Sequence, residues 1–140
     1  MVRKYIRRIS VSFADFWEDE VLDHLFGKGS YSPPTIWVGL STADPLDDES
    51  GLAEPSGNNY ARVETSGSDW DAASGGATAN ATAITFPAAS GSWGTVTHIC
   101  LFDASSAGNL LASVALDSSQ AVTTDQIPRF STGEIDVTLE

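Results

Sequence analysis

The sequence LDHLFGKGSYSPPTIWVGLSTADP, at residues 22–45, ends a helix, turns a corner and starts a buried strand. Gly27 can adopt the left-handed backbone that closes a helix, and Pro33-Pro34 cannot continue one. The apolar run at 36–40 has the composition of a strand, and the turn residues at 41–45 end it. This stretch therefore predicts helix before the corner and β structure after it.

One amphipathic helix is predicted over residues 12–26, with Ser12 as its N-cap and Asp15 at the capping-box position. Its apolar residues fall on one broad face, and acidic residues occupy much of the remainder. We expect this face to pack on a sheet or on a partner chain. Its members are Phe13, Phe16, Trp17, Val21, Leu22, Leu25 and Phe26.

Beyond residue 34 the pattern is one of short strands separated by Gly-rich turns, with no alternating helices. Residues 134–139 alternate strictly between apolar and polar, which is typical of a half-buried strand. Residues 95–102 are apolar on both faces, which predicts a central strand. The fold class that follows is all-β, an antiparallel β-sandwich or jelly roll with one short N-terminal helix.

Charge is distributed unevenly along the chain. The formal net charge is −12, yet four of the seven basic residues lie within the first eight positions. Such an acidic body argues against a nucleic-acid partner. We predict a basic N-terminal arm at residues 1–11 and a single domain at residues 12–140. The arm either docks on an acidic surface, of a neighbouring copy or of another protein, or is a solvated terminus.

Few residues are suited to catalysis or metal binding. Neither His24 nor His98 lies in a recognisable motif, and the single cysteine, Cys100, sits in an apolar run that predicts a small buried side chain. One cysteine and two histidines argue against zinc. The segment 42–59 carries five acids and is expected to be an exposed excursion, with cation binding there as the lesser alternative. We expect no catalytic residue, no cofactor and no resident metal.

No apolar run approaches the roughly 20 residues of a membrane-spanning helix, so no membrane partner is expected.

One aromatic residue in a polar segment is a further candidate for partner contact. Trp70 lies between two aspartates in a polar loop, where an indole could stack on a sugar ring or fill a pocket on a partner. The alternative is that Trp70 forms a lid over its own core.

Five segments of the chain together resemble a family of small virion proteins of tailed bacteriophages. They are residues 22–26, 31–45, 59–63, 92–104 and 108–110. Proteins of this family are described partly as tail-fibre-like and partly as capsid decoration or cement proteins. The chain is also similar to the jelly-roll cement protein of a Bordetella phage, which sits as trimers on the capsid exterior.

The resemblance implies a non-enzymatic cement protein that binds the major capsid protein as a homotrimer on the outside of the virion. A tail-fibre or baseplate adhesion protein is the alternative. For partner contact we expect electrostatic docking by the arm, apolar contact by the helix, and Trp70 at the tip of an adhesion protein. The residues concerned are Arg3, Lys4, Arg7, Arg8, Phe13, Phe16, Trp17 and Trp70.

Overall fold

A computed structural model of the protein describes residues 12–139, and the basic arm predicted at residues 1–11 lies outside this range. Within it the chain forms one α-helix, nine strands and a 3₁₀ turn. Their bounds are β1 Ser12–Phe13, α1 Asp15–Leu25, β2 Trp37–Ser41, β3 Val63–Glu64, the 3₁₀ turn Gly67–Asp69, β4 Ala77–Ala79, β5 Ile84–Thr85, β6 Gly94–Phe102, β7 Leu110–Val122, β8 Arg129–Phe130 and β9 Asp136–Thr138. This confirms the prediction of an all-β fold with one short N-terminal helix.

The principal sheet has five strands in the order β1-β7-β6-β2-β3, and each of its pairings is antiparallel. β6 lies at its centre, as the apolar residues on both faces of that strand predicted. The other described strands form two antiparallel ribbons, β4 with β9 and β5 with β8. The finer expectation of a β-sandwich or jelly roll stays a prediction, because these ribbons are not joined into a second continuous sheet.

β6 contributes to two apolar clusters because successive side chains of a strand point to opposite faces. Ile99 and Leu101 belong to the main core, together with residues of β2, β5 and β8. Cys100 and Phe102 belong to a smaller cluster on the other face, with Leu110 of β7. Fully burying one large apolar side chain stabilises the fold by about 1.5–3 kcal/mol, so a strand buried on both faces anchors the whole sheet.

The start of α1 differs from the sequence-based expectation. The helix begins at Asp15, and its N-cap is Ala14, which makes no side-chain capping bond. Ser12 instead belongs to β1 and pairs with Ser113 of β7. The buried Ala14 donates its backbone N–H to the Leu111 carbonyl at 3.0 Å. Sheet pairing therefore takes the place of the predicted capping box.

The end of α1 follows the expectation. Gly27 has a φ of +68°. Its N–H donates to the His24 carbonyl at 3.3 Å, and the N–H of Lys28 donates to the Asp23 carbonyl at 2.8 Å. These two bonds form a Schellman motif, which satisfies carbonyl groups that the last turn of a helix otherwise leaves unpaired.

The prediction of an exposed excursion at residues 42–59 is correct only in part. Although many of these side chains remain exposed, the segment folds back over the second face of the principal sheet. Thr42 donates its N–H to the Ala53 carbonyl at 2.9 Å, and Leu52 packs against the smaller apolar cluster. The Glu49 carboxylate accepts a hydrogen bond from the N–H of Leu110. Acidic residues in this segment thus satisfy backbone donors, which a composition-based interpretation as a solvated loop does not anticipate.

The C-terminal strand is shorter than its alternating pattern predicted. β9 covers Asp136–Thr138 only, next to the fully buried Ile135, whereas Leu139 is 62% exposed. Leu139 lies past the end of the two-stranded ribbon and donates its N–H to the Gly76 carbonyl at 2.8 Å. Alternation predicts which residues share a face, but the length of the partner strand decides how far the strand extends.

Replacing Gly27 by alanine should destabilise the protein by about 1 kcal/mol, because an L-residue pays a conformational cost at positive φ. A Cβ at this position would meet no atom within 4 Å, so no steric clash contributes. Urea unfolding followed by tryptophan fluorescence measures the change. Gly67→Ala is the matched control, since its Cβ also meets nothing within 4 Å and its φ is not left-handed. Equal effects of the two substitutions would contradict the role assigned to Gly27.

Candidate interaction surface

One side of α1 faces the principal sheet. Phe16 and Trp17 are half-buried and pack, with Phe13, against the main core. Their rings meet Tyr31 edge to face, with ring centroids 6.4 Å apart for Phe16 and 4.6 Å apart for Trp17. The three aromatic residues expected to contact a partner are therefore engaged substantially within their own chain.

The opposite side of α1 is exposed along its whole length. Six exposed residues recur at helical spacings of three and four, which places them on one stripe of the helix surface. The N-terminal half of this stripe is acidic and its C-terminal half is apolar. We call it the α1 stripe; its members are Asp15, Glu18, Asp19, Leu22, Leu25 and Phe26.

The C-terminal half of the α1 stripe is apolar, although it is exposed. Leu22 is 52% exposed, Leu25 71% and Phe26 70%, so three large side chains lie in water at one end of a short helix. The acids at the other end are favourably placed, because the N-terminus of a helix carries partial positive charge. No ion pair within residues 12–139 engages these acids.

Trp70 is half-buried and packs against the main core. Its indole Nε1–H donates to the Thr65 hydroxyl at 3.0 Å, and that hydroxyl donates to the Ile36 carbonyl at 2.8 Å. Its backbone also forms an isolated β-bridge with Asn80. This arrangement corresponds to the lid alternative, in which the indole serves its own core.

A buried cation lies on the second face of the sheet. The Arg62 side chain is 4% exposed, and its Nε and Nη2 donate to the two carboxylate oxygens of Glu54, each at 2.8 Å. Nη1 donates to the carbonyls of Ala104 and Ala107, at 2.7 and 2.8 Å. The guanidinium carbon lies 3.4 Å from the centroid of the Phe102 ring. We call this arrangement the Arg62 clamp.

Tyr60 extends the Arg62 clamp into the sheet. Its hydroxyl donates to Glu54 Oε1 at 2.7 Å and accepts the backbone N–H of Leu40 at 2.9 Å. Burial, followed by the hydrogen bond to Glu54, raises the pKa of Tyr60 well above its usual value. The phenol therefore stays neutral and keeps its proton for the carboxylate. The sequence showed only an arginine near a run of acids, so the clamp was not predicted.

His98 and Asp48 contact neighbouring side chains or backbone, and Cys100 is buried. His98 Nδ1 lies 2.8 Å from the Thr97 hydroxyl, and its Nε2 lies 3.8 Å from Asp44 Oδ1. Asp48 accepts the N–H of Ser50 at 3.0 Å, and its hydrogen bonds with Ser50 lower the pKa of its carboxyl. Burial raises the pKa of the Cys100 thiol. Over residues 12–139, no group of three or more His, Cys, Asp or Glu side chains could hold a metal ion.

Among the described residues, no helix has both the length and the apolar character needed to cross a membrane. The candidate site that the geometry offers is the exposed α1 stripe, carried on an antiparallel β domain whose second sheet face is covered by the Arg62 clamp.

A comparison with known protein families identifies the class of protein to which this chain belongs. The family model described as Podophage GP4 fiber I protein gp80 matches residues 12–138, and the chain belongs to this family. It is therefore a structural protein of a bacteriophage virion, as the resemblance of its sequence predicted. No curated protein matches the chain. The family match begins where β1 begins, so the basic arm lies outside the matched residues.

Replacing Arg62 by alanine should cost about 3 kcal/mol of unfolding free energy, because the Glu54 carboxylate loses its charged partner in a largely desolvated site. Glu54 keeps 22% exposure of its side chain, which holds the expected loss near the lower end for buried ion pairs. Urea unfolding of the purified variant measures the loss.

Arg129→Ala is the matched control for Arg62, since Arg129 is an exposed arginine on β8. Its removal should change the unfolding free energy by less than about 0.5 kcal/mol. A second variant combining Arg62→Met with Glu54→Leu should recover part of the loss, because it leaves no buried carboxylate behind. A loss below about 1 kcal/mol for Arg62→Ala would show that the clamp does not hold the segments together.

Proposed function

We propose that the protein is a non-enzymatic subunit of a fibre-type appendage of the virion, where it acts through surface contact. The observation that carries this proposal is the family match over residues 12–138, whose description names a fibre protein. The match covers almost all of the described domain, including the helix that bears the α1 stripe.

The chemistry of the described residues supports a role without catalysis. A nucleophile needs a neighbouring base and access to substrate. The thiol of Cys100 is fully buried and its pKa is raised, so it is neither accessible nor ionised near neutral pH. His98 is engaged with the Thr97 hydroxyl on a central strand. A domain of this kind with an exposed contact patch suits a structural subunit.

A second candidate is a capsid cement protein that binds the major capsid protein as a homotrimer on the capsid exterior. It is favoured by the architecture of the described residues. Residues 12–139 build one antiparallel domain around a main core, and no long helical or fibrous shaft occurs among them. A cement subunit needs only a stiff body and a contact surface. The same surface serves an adhesion protein at the tail or baseplate.

Labelling the intact virion tests both candidates. Ala73 is exposed in the segment between the 3₁₀ turn and β4, so Ala73→Cys offers one reactive thiol outside α1 and the Arg62 clamp. Because Cys100 is buried and is the single native cysteine of the chain, the introduced residue is the one site on this protein that a maleimide-gold reagent should label. We expect gold at the tail fibres in electron micrographs of virions carrying this variant.

Wild-type virions treated with the same reagent are the control, and gold in excess of the wild-type label marks the introduced thiol. Gold distributed over the capsid shell would overturn the fibre assignment and support the cement protein. Gold at neither position, with the variant present in purified virions by mass spectrometry, would rule against both locations.

A further inference from the structure

The α1 stripe is the one exposed feature of the described domain that combines charge with a contiguous apolar end. Leu22, Leu25 and Phe26 follow one another along the helix at spacings that bring their side chains together. Exposed apolar patches rimmed by charged residues mark contact sites. The role expected for Phe13, Phe16 and Trp17 as an apolar contact surface is thus better met by the exposed residues of the same helix.

We propose that the α1 stripe binds the basic N-terminal arm, residues 1–11, of a second copy of the chain. Each copy then has one arm to donate and one stripe to receive an arm. Reciprocal exchange of such elements closes a symmetric dimer or a small ring.

Charge complementarity identifies the arm as the occupant. The chain carries a net charge of −12, and beyond residue 8 its basic residues are Lys28, Arg62 and Arg129. Arg62 is buried in its clamp, which leaves two isolated cations on the described domain. The arm concentrates four, so it is the part of the chain best able to neutralise the acidic half of the stripe.

The apolar residues of the arm complement the other half of the stripe. In the sequence MVRKYIRRISV the apolar positions Val2, Tyr5, Ile6 and Ile9 follow the spacing i, i+3, i+4, i+7, and pairs of basic residues fill the gaps. This spacing is typical of a segment that presents apolar side chains on one side and charges beside them. The α1 stripe has the same two components, with acids in place of the bases.

Chain direction favours a second copy over the same chain. β1 is separated from α1 by Ala14 alone, so the arm joins the fold beside the N-terminal end of the helix. The apolar end of the stripe is about 10 residues further along, or about 15 Å at the rise of an α-helix. To reach it, the arm of the same chain would have to run alongside its own helix over this distance. The arm of a neighbour meets no such constraint.

A charge-swap experiment on the full-length protein separates the possibilities. One variant reverses the arm and the other reverses the acidic half of the stripe. The substitutions are Arg3→Glu, Lys4→Glu, Arg7→Glu and Arg8→Glu in the first variant, and Asp15→Lys, Glu18→Lys and Asp19→Lys in the second. Sedimentation velocity should show assembly of the wild type, loss of assembly for each variant alone, and recovery in an equimolar mixture of the two.

Recovery in the mixture requires contact between different chains, because the reversed arm of one variant then meets the reversed stripe of the other. The matched charge control is Glu64→Lys with Asp71→Lys and Asp125→Lys, three exposed acids that lie outside the stripe, and it should still assemble. Raising the salt concentration from 0.1 to 1 M should weaken wild-type assembly by about tenfold, since the Debye length falls from about 10 to 3 Å.

A second pair of variants tests the apolar half of the stripe, and their urea midpoints show whether they remain folded. Leu25→Ser with Phe26→Ser should abolish assembly while leaving the urea midpoint nearly unchanged, because both side chains are exposed. Ile127→Ser, at an exposed apolar residue elsewhere, should preserve assembly. A wild type that stays monomeric, or a mixture that stays monomeric while the wild type assembles, would overturn the proposal. These results are independent of where the protein sits in the virion.

Discussion

The guanidinium of Arg62 constrains the structure more than any other single group. Desolvating a cation costs several kcal/mol unless its donors and its charge are satisfied together. Here Glu54 accepts two of its hydrogen bonds, the carbonyls of Ala104 and Ala107 accept two more, and the Phe102 ring covers one face. The segment 42–59, the turn after β6 and the central strand must therefore adopt their positions together, because a partial arrangement would leave a buried charge unsatisfied.

This constraint explains how the second face of the sheet is closed without a second full sheet. Leu52 and the Arg62 clamp cover the small cluster around Phe102, and Gly39 of β2 allows the close approach. A Cβ at Gly39 would lie 2.8 Å from the Phe102 ring, 3.1 Å from Glu54 and 3.1 Å from the Tyr60 hydroxyl. The glycine in the strand WVGLS is thus a packing requirement, which its place in an apolar run did not reveal.

Local patterns predicted the features that depend on neighbouring residues. The end of α1 at Gly27, the buried Cys100 and the central β6 all follow from a few adjacent positions. The Arg62 clamp could not be predicted in this way, because its partners lie 8, 42 and 45 residues away in the chain. The orientation of the α1 side chains was predicted only in part. Periodicity identified a broad apolar face, but packing on the sheet is needed to distinguish the inward Phe16 and Trp17 from the outward Leu25.

Two of the five segments that carry the family resemblance contribute residues to the Arg62 clamp and its surroundings. Tyr60 and Arg62 come from residues 59–63, and Phe102 and Ala104 come from residues 92–104. Residues that hold a fold together are restricted by their own neighbours, whereas a contact surface is restricted by its partner. The family match covers nearly all of the described domain and includes the α1 stripe, whereas the arm precedes the matched residues. In the arm exchange proposed above, contact is made at the edge of the fold, so it can change without disturbing the buried cation on which the domain depends.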